Sequence, residues 1–181
     1  MKYVKASLIA LTVALAASSA HAADALDPAR VRFGVNFSFG GGIGFAADAS
    51  INNLAQIAPG VNLGARVTAA YVPNVFNIAA APVATFAFQN GGIWIGPSIG
   101  LGIGSNLDFG VGLTTGVEYN VNRQIMLYGD IYLGVVPGVT GLIKAGVDID
   151  ITNNFSGFFE TRTNFGSGTS FGLGAGVAYR F

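Results

Sequence analysis

Charged residues in this chain follow a rule of position, and that rule constrains the fold more than any other feature of the sequence. In the segment 107–121 the odd positions are almost all apolar, whereas the even positions hold Asp108, Glu118, glycine, threonine or asparagine. Thirteen charged residues fall in segments with this alternation, all at even positions: Arg30, Arg32, Asp48, Arg66, Asp108, Glu118, Asp130, Lys144, Asp148, Asp150, Glu160, Arg162 and Arg180. A period of two predicts β-strands with one apolar face and one polar face.

The composition indicates which face lies outside. Only 10% of the residues are charged, against about 25% in soluble domains. After residue 22, no apolar stretch reaches the roughly 18 residues that a membrane-spanning helix needs. Such a chain is expected to span a membrane as a closed barrel, because lipid offers no partners for unpaired backbone groups. We therefore predict an all-β protein, a small closed antiparallel transmembrane β-barrel with odd positions facing lipid and even positions lining the lumen.

Turn-forming residues divide the chain into short segments and predict the number of strands. Nine plausible connections imply ten strands: 40–42, 52–60, 73–74, 90–92, 105–106, 122–124, 137–138, 152–154 and 164–170. An eight-stranded barrel stays open as an alternative, because 31–51 keeps one parity throughout and Pro82 interrupts the segment 76–89. The prediction is therefore a barrel of 8–10 strands.

The first 22 residues have the pattern of a cleavable signal peptide. Lys2 and Lys5 form a short basic region, an apolar stretch follows at 6–17, and Ala20-His21-Ala22 fits a cleavage site with small residues. At about 1.5 Å per residue, this apolar stretch is too short to cross a hydrocarbon core of about 30 Å. We expect a signal peptide over 1–22 and a barrel domain over 23–181.

The last strand completes a pattern that is similar to a known family. Its outward positions end on an aromatic residue: Phe171, Leu173, Val177, Tyr179 and Phe181. With the signal peptide and the repeated alternation, the whole mature chain resembles small bacterial outer-membrane β-barrel proteins of the OmpA and OmpX type, porin-like barrels here without a peptidoglycan-binding domain. Many members of that family have eight strands.

The resemblance implies a location and several partners. It implies an integral multi-pass barrel in the outer membrane of a Gram-negative-type cell envelope, in contact with outer-membrane lipid. It also implies that the C-terminal strand is the sorting strand through which the barrel-assembly machinery recognises the chain. Family members include structural barrels, adhesins, narrow pores and lipid-modifying enzymes, so the shared fold carries no specific activity.

The charged residues on the inward parity are expected to pair with one another, because charges in a narrow lumen must be paired or hydrated. The predicted lumen charge network consists of Arg32, Asp48, Arg66, Asp108, Glu118, Asp130, Lys144, Asp148, Glu160, Arg162 and Arg180. We also expect Arg32 to lie near Arg180, because the first and last strands must pair for the sheet to close.

The residue inventory argues against catalysis, metal binding and a cofactor. His21, the only histidine, falls in the predicted signal peptide, and there is no cysteine, so the mature chain has neither a Ser-His pair nor a histidine- or cysteine-ligated metal site. A carboxylate-only mechanism using Asp148 and Asp150 with Asp130 or Glu160 is the alternative, and ion pairing is favoured over it. Loss of Lys2 and Lys5 leaves an acidic balance, so no nucleic-acid partner is expected.

The inward positions are rich in glycine, which leaves two interpretations of the lumen. Missing side chains leave a path for small solutes, or they relieve crowding where strands bend to close the barrel. Four aromatic residues also fall on the inward parity and are expected to occlude the lumen: Trp94, Tyr128, Tyr132 and Phe158. We predict a mainly structural envelope role with a charged, glycine-rich lumen. The alternative is a narrow passive pore for small solutes, and a surface adhesin ranks lower because most connections are short.

Overall fold

The computed structural model describes residues 27, 29–39, 42–105, 107–136, 140–165 and 169–181. The predicted signal peptide lies outside these residues. The described part of the chain contains ten β-strands: β1 Ala29–Ser38, β2 Gly42–Ala58, β3 Val61–Val72, β4 Val75–Phe88, β5 Gly91–Ile103, β6 Leu107–Asn120, β7 Ile125–Val136, β8 Thr140–Asp150, β9 Phe155–Phe165 and β10 Ser170–Arg180. Within the described ranges, no helix is long and apolar enough to cross a membrane.

The ten strands form one closed antiparallel barrel. Each strand pairs with its neighbours in the chain, and β1 pairs with β10 to close the sheet. The prediction of a closed all-β barrel is confirmed at ten strands, and the eight-stranded alternative is wrong. We call the end that carries residues 27 and 181 the terminal end, and the end that carries the β1–β2, β3–β4, β5–β6, β7–β8 and β9–β10 connections the opposite end.

The predicted connection over 52–60 is wrong in its bounds. Strand β2 continues to Ala58, and only residues 59 and 60 form the turn before β3. The register between β2 and β3 shifts twice, which absorbs the extra residues as bulges. Asn52 is held within the wall, since its side-chain nitrogen donates to the Asp27 carbonyl at 2.7 Å and its own carbonyl accepts from Thr85 Oγ1 at 2.8 Å.

Apolar side chains cover the outside of the barrel. Phe33 is 55% exposed and Phe159 is 64% exposed, whereas Arg32 is 7% exposed on the inside. Aromatic rings cluster on the outer surface at both ends of the strands. Phe37, Phe39 and Phe171 pack together at the opposite end, and Phe155, Tyr179 and Phe181 pack together at the terminal end. An apolar belt between two aromatic bands is the arrangement of transmembrane barrels.

Strand β4 reverses the parity seen in the neighbouring strands. Its odd position Thr85 is 1% exposed on the inside, and its even position Phe88 is 43% exposed on the outside. The two-residue turns at 73–74 and 89–90 cause the reversal, because each one pairs an even residue with an odd one across the hairpin. Asn74, with φ of 70°, completes the first of these turns. Since β4 has no charged residue, the rule for charges holds in spite of the reversal.

Candidate functional site in the barrel lumen

Four charged side chains from three strands meet near the terminal end of the lumen. Arg32 Nη2 lies 3.0 Å from Asp148 Oδ2, and Arg30 Nη1 lies 3.3 Å from both Glu118 Oε1 and Asp148 Oδ2. Strand β1 supplies both arginines, while β6 and β8 supply the carboxylates, so the pairs cross the lumen. We call Arg30, Arg32, Glu118 and Asp148 the terminal charge layer. All four are buried, so each charge depends on its partners rather than on bulk water.

A second group of charges lies farther from the terminal end. Lys144 Nζ lies 3.2 Å from Asp48 Oδ2 and 3.0 Å from Asp130 Oδ2, and Arg162 Nη2 lies 3.6 Å from Asp48 Oδ2. Arg162 also pairs with Glu160, which accepts a hydrogen bond of 2.9 Å from Tyr128 Oη. We call Asp48, Asp130, Lys144 and Arg162 the central charge layer. It connects β2 to β8 and β9 across the lumen.

Two members of the expected network stand apart from these layers. Arg66 has no carboxylate within ion-pair distance among the described residues; its guanidinium lies 4.0 Å over the Trp94 ring and its Nη2 donates to Asn52 Oδ1 at 2.6 Å. Asp108 is exposed near the opposite end, with no ion pair in the described part of the chain.

Three charged residues outside the predicted lumen charge network also have partners in the lumen, and ion pairing was expected for one of them, Asp150. Arg30 belongs to the terminal charge layer, and Arg180 pairs with Asp150 at 2.6 Å and with Asp27 at 2.8 Å. The even parity of Arg30 and Asp150 was a usable signal for both. Asp27 precedes β1, so the alternation within strands could not predict that its side chain has partners in the lumen.

Inward aromatic rings rest on glycines of the wall. A Cβ atom built on Gly34 would lie 2.6 Å from the Phe158 ring, one on Gly146 would lie 2.5 Å from the Tyr128 ring, and one on Gly116 would lie 2.3 Å from the Trp94 ring. These glycines therefore provide space for rings that fold flat against the sheet. Arg32 stacks on Tyr128 at 3.9 Å, which joins the rings to the terminal charge layer.

Two cavities lie in the lumen among the described residues. A cavity of about 980 Å³, the large cavity, extends to Pro73, Ser105 and Thr140 at the opposite end, and a smaller one of about 450 Å³ is lined by Asp27, Asp150 and others at the terminal end. All ten strands contribute to the lining of the large cavity. At Gly100 an added Cβ would make only ordinary contacts, the nearest at 3.6 Å. Crowding thus explains some inward glycines and not others.

Among the described residues, no cluster of histidine, cysteine, aspartate or glutamate side chains could hold a metal ion. The carboxylates that could serve a carboxylate-only mechanism each have a basic partner: Asp130 with Lys144, Asp148 with Arg32, Asp150 with Arg180 and Glu160 with Arg162. The charged side chains of the lumen form ion pairs, and the inward aromatic rings pack against the wall.

No protein-family model matches the chain, and no curated protein sequence matches it. Among solved structures, outer membrane phospholipase A from Escherichia coli is similar, with a TM-score of 0.50, 10% identity, and coverage of 93% of this chain and 97% of that one. KdgM porin has a TM-score of 0.48, 13% identity, and coverage of 84% and 99%. Omp33 from Acinetobacter baumannii has a TM-score of 0.46, 9% identity, and coverage of 86% and 98%. At these identities the likeness concerns the fold alone, and the chain shares with the phospholipase the closed antiparallel barrel of outer-membrane proteins.

Proposed function

We propose that this protein is an integral outer-membrane β-barrel with a mainly structural role in the cell envelope, and that its lumen is closed near the terminal end. The membrane location is supported by the apolar outer surface, on which Phe33, Ile99 and Phe159 are more than half exposed, and by the aromatic bands at both ends. Soluble monomeric proteins rarely expose a continuous apolar surface of this size.

The main evidence for a lumen closed near the terminal end is the separation of the two cavities. The two cavities have no lining residue in common, and the terminal charge layer lies between them with Tyr128 and Phe158. A barrel slightly larger than eight strands has little room beyond its own side chains. Rings seated on glycines and ion pairs that cross the lumen fill that room at the terminal end.

Electrical recording tests this proposal directly. The refolded protein in a planar lipid bilayer should produce no single-channel steps above background, while flotation with lipid vesicles should show that it is inserted. Reproducible small steps would support the alternative, a narrow passive pore for small solutes. An adhesin has less support, because the connections at the opposite end are short, the longest spanning residues 166–169.

We propose export by a signal peptide over 1–22, which N-terminal sequencing of the mature protein tests, and membership of the OmpA and OmpX type of barrel. Phe171, Leu173, Val177, Tyr179 and Phe181 would form the strand that the assembly machinery binds. Replacing Phe181 with serine should then slow assembly in cells more than refolding in detergent; equal effects on both would contradict a sorting role.

A further inference from the structure

Two prolines face one another across the β4–β5 ladder. Ala80 pairs with Ile99 and Ala84 pairs with Ile95, so the register places Pro82 opposite Pro97, and the three positions between those pairs have no ladder partners. A proline nitrogen carries no hydrogen. Neither residue can donate across the ladder, so the carbonyls of Pro82 and Pro97 lose their usual donors on this side. We call residues 81–83 and 96–98 the proline seam.

The proline seam lies in the middle of both strands, within the apolar belt. Both prolines are exposed on the outer face, and Ile95 and Ile99 next to them are 45% and 55% exposed. A closed barrel has no edge strand where proline would be harmless. In hydrocarbon, a missing backbone bond has no water to replace it, so the seam weakens the wall at this point.

The large cavity lies directly behind the proline seam. Ala81 and Ser98 form its inner surface there, and both residues line the cavity. Ser98 is 3% exposed and its Oγ has no hydrogen-bond partner among the residues that the structure describes. Small residues such as Ala79 and Gly100 continue the wall toward the opposite end. Arg66, the β3 partner of Ala81, lies beside the seam with its guanidinium over Trp94. A volume of about 980 Å³ falls in the range of pockets for small molecules, about 300–1,000 Å³.

We propose that the proline seam is a lateral portal through which an acyl chain of a bilayer lipid enters the large cavity. The inference rests on the proposed membrane location. At this depth the molecules in contact with the seam are hydrocarbon chains, and Ala81, Val83 and Trp94 form an apolar cluster behind it. Separating the strands here breaks fewer hydrogen bonds than it would at an uninterrupted stretch of the barrel.

Trp94, the only tryptophan, reports on this event from inside the barrel. It is 3% exposed and packs with Ala81 and Val83 behind the proline seam. Vesicles of phospholipid brominated near the chain ends place a short-range quencher at the depth of the seam. Entry of a chain should quench Trp94 fluorescence.

A disulfide across the seam closes the portal reversibly. The chain has no cysteine, so Ala80→Cys with Ile99→Cys introduces a single pair on partners about 5.5 Å apart, which is suitable for a disulfide. Oxidation should remove most of the quenching, and reduction should restore it. The matched control, Leu113→Cys with Leu133→Cys, bridges partners within the continuous stretch 112–120 of the β6–β7 ladder, and its oxidation should leave the quenching unchanged.

A second variant tests the portal independently if the cysteines disturb assembly. Pro82→Ala with Pro97→Val restores both backbone donors and should also reduce the quenching. Equal quenching in locked, restored and unmodified protein that floats with vesicles would overturn the portal and leave the proposed function intact. Protein that does not float with vesicles would overturn the membrane location, and the portal with it.

Discussion

Arg30 lies directly opposite Arg180 where the first and last strands meet. Like charges in this position repel. Each guanidinium, however, pairs with carboxylates of its own: Arg30 pairs with Glu118 and Asp148, and Arg180 pairs with Asp150. Both also lie against Asp27. The expectation that Arg32 would neighbour Arg180 was therefore close, because β1 does pair with β10, but the register places Arg30 at that position. The closure of the barrel is coupled to the pairing of charges in its lumen.

Asp148→Asn should destabilise the barrel strongly. The side chain is fully buried and serves both Arg30 and Arg32, so its neutralisation leaves the two arginines of the terminal charge layer with Glu118 as the one carboxylate of the layer. We expect a loss of about 3–5 kcal/mol in the free energy of unfolding, measured by urea unfolding in lipid vesicles with Trp94 fluorescence. Asp108→Asn at the exposed opposite end is the control and should change stability by less than about 0.5 kcal/mol. Equal effects would contradict the role of the terminal charge layer.

Gly116→Ala should be harmful where Gly100→Ala is not. A Cβ on Gly116 would lie 2.3 Å from the Trp94 ring and 2.5 Å from the Gly129 carbonyl oxygen, whereas the nearest atom to one on Gly100 is 3.6 Å away. Overpacking of this kind costs about 1–3 kcal/mol. The same unfolding experiment measures it, and a similar loss in both variants would show that glycine is needed for backbone reasons at each position.

Removing two inward rings should open the lumen. Tyr128→Ala with Phe158→Ala removes the aromatic part of the barrier between the two cavities, and we expect discrete conductance steps in planar bilayers where the unmodified protein is silent. Leu127→Ala with Phe159→Ala truncates the neighbouring outward side chains, both well exposed, and should stay silent. Continued silence of the first variant would mean that the ion pairs alone block the path.

Lysine should be tolerated at Ala79 and rejected at Ala80. Ala79 pairs with inward Thr68 and Gly100, and Ala80 pairs with outward Ile99. A lysine on the lipid face near the bilayer centre costs about 2–4 kcal/mol, while one at Ala79 enters the large cavity. Refolding yield and urea unfolding in vesicles compare the two variants. Even-parity reasoning extended to β4 predicts the opposite order, so the comparison tests the reversal itself.

Much of the architecture was predictable, because alternation is a local property that lipid enforces on every strand. The outward aromatic and aliphatic residues, from Phe33 to Phe181, and the inward set of charges followed from it. The end of β2 did not: Asn52 and Asn53 have the composition of a turn, yet Asn52 is bonded to Asp27 and Thr85 within the wall. The local preference of these residues for a turn competes with tertiary hydrogen bonds, and here the hydrogen bonds keep the segment in strand β2.

The sequence by itself determined that strands alternate, that one face belongs to lipid, and which charged side chains of the strands lie in the lumen, since each depends only on position within a strand. The tertiary structure decided which charge meets which, which glycines support a ring, and that Pro82 faces Pro97. Those relationships depend on register, and register is set by turn lengths and bulges around the whole barrel. A one-residue difference in a single turn, as at 73–74, is enough to reverse the faces of a strand.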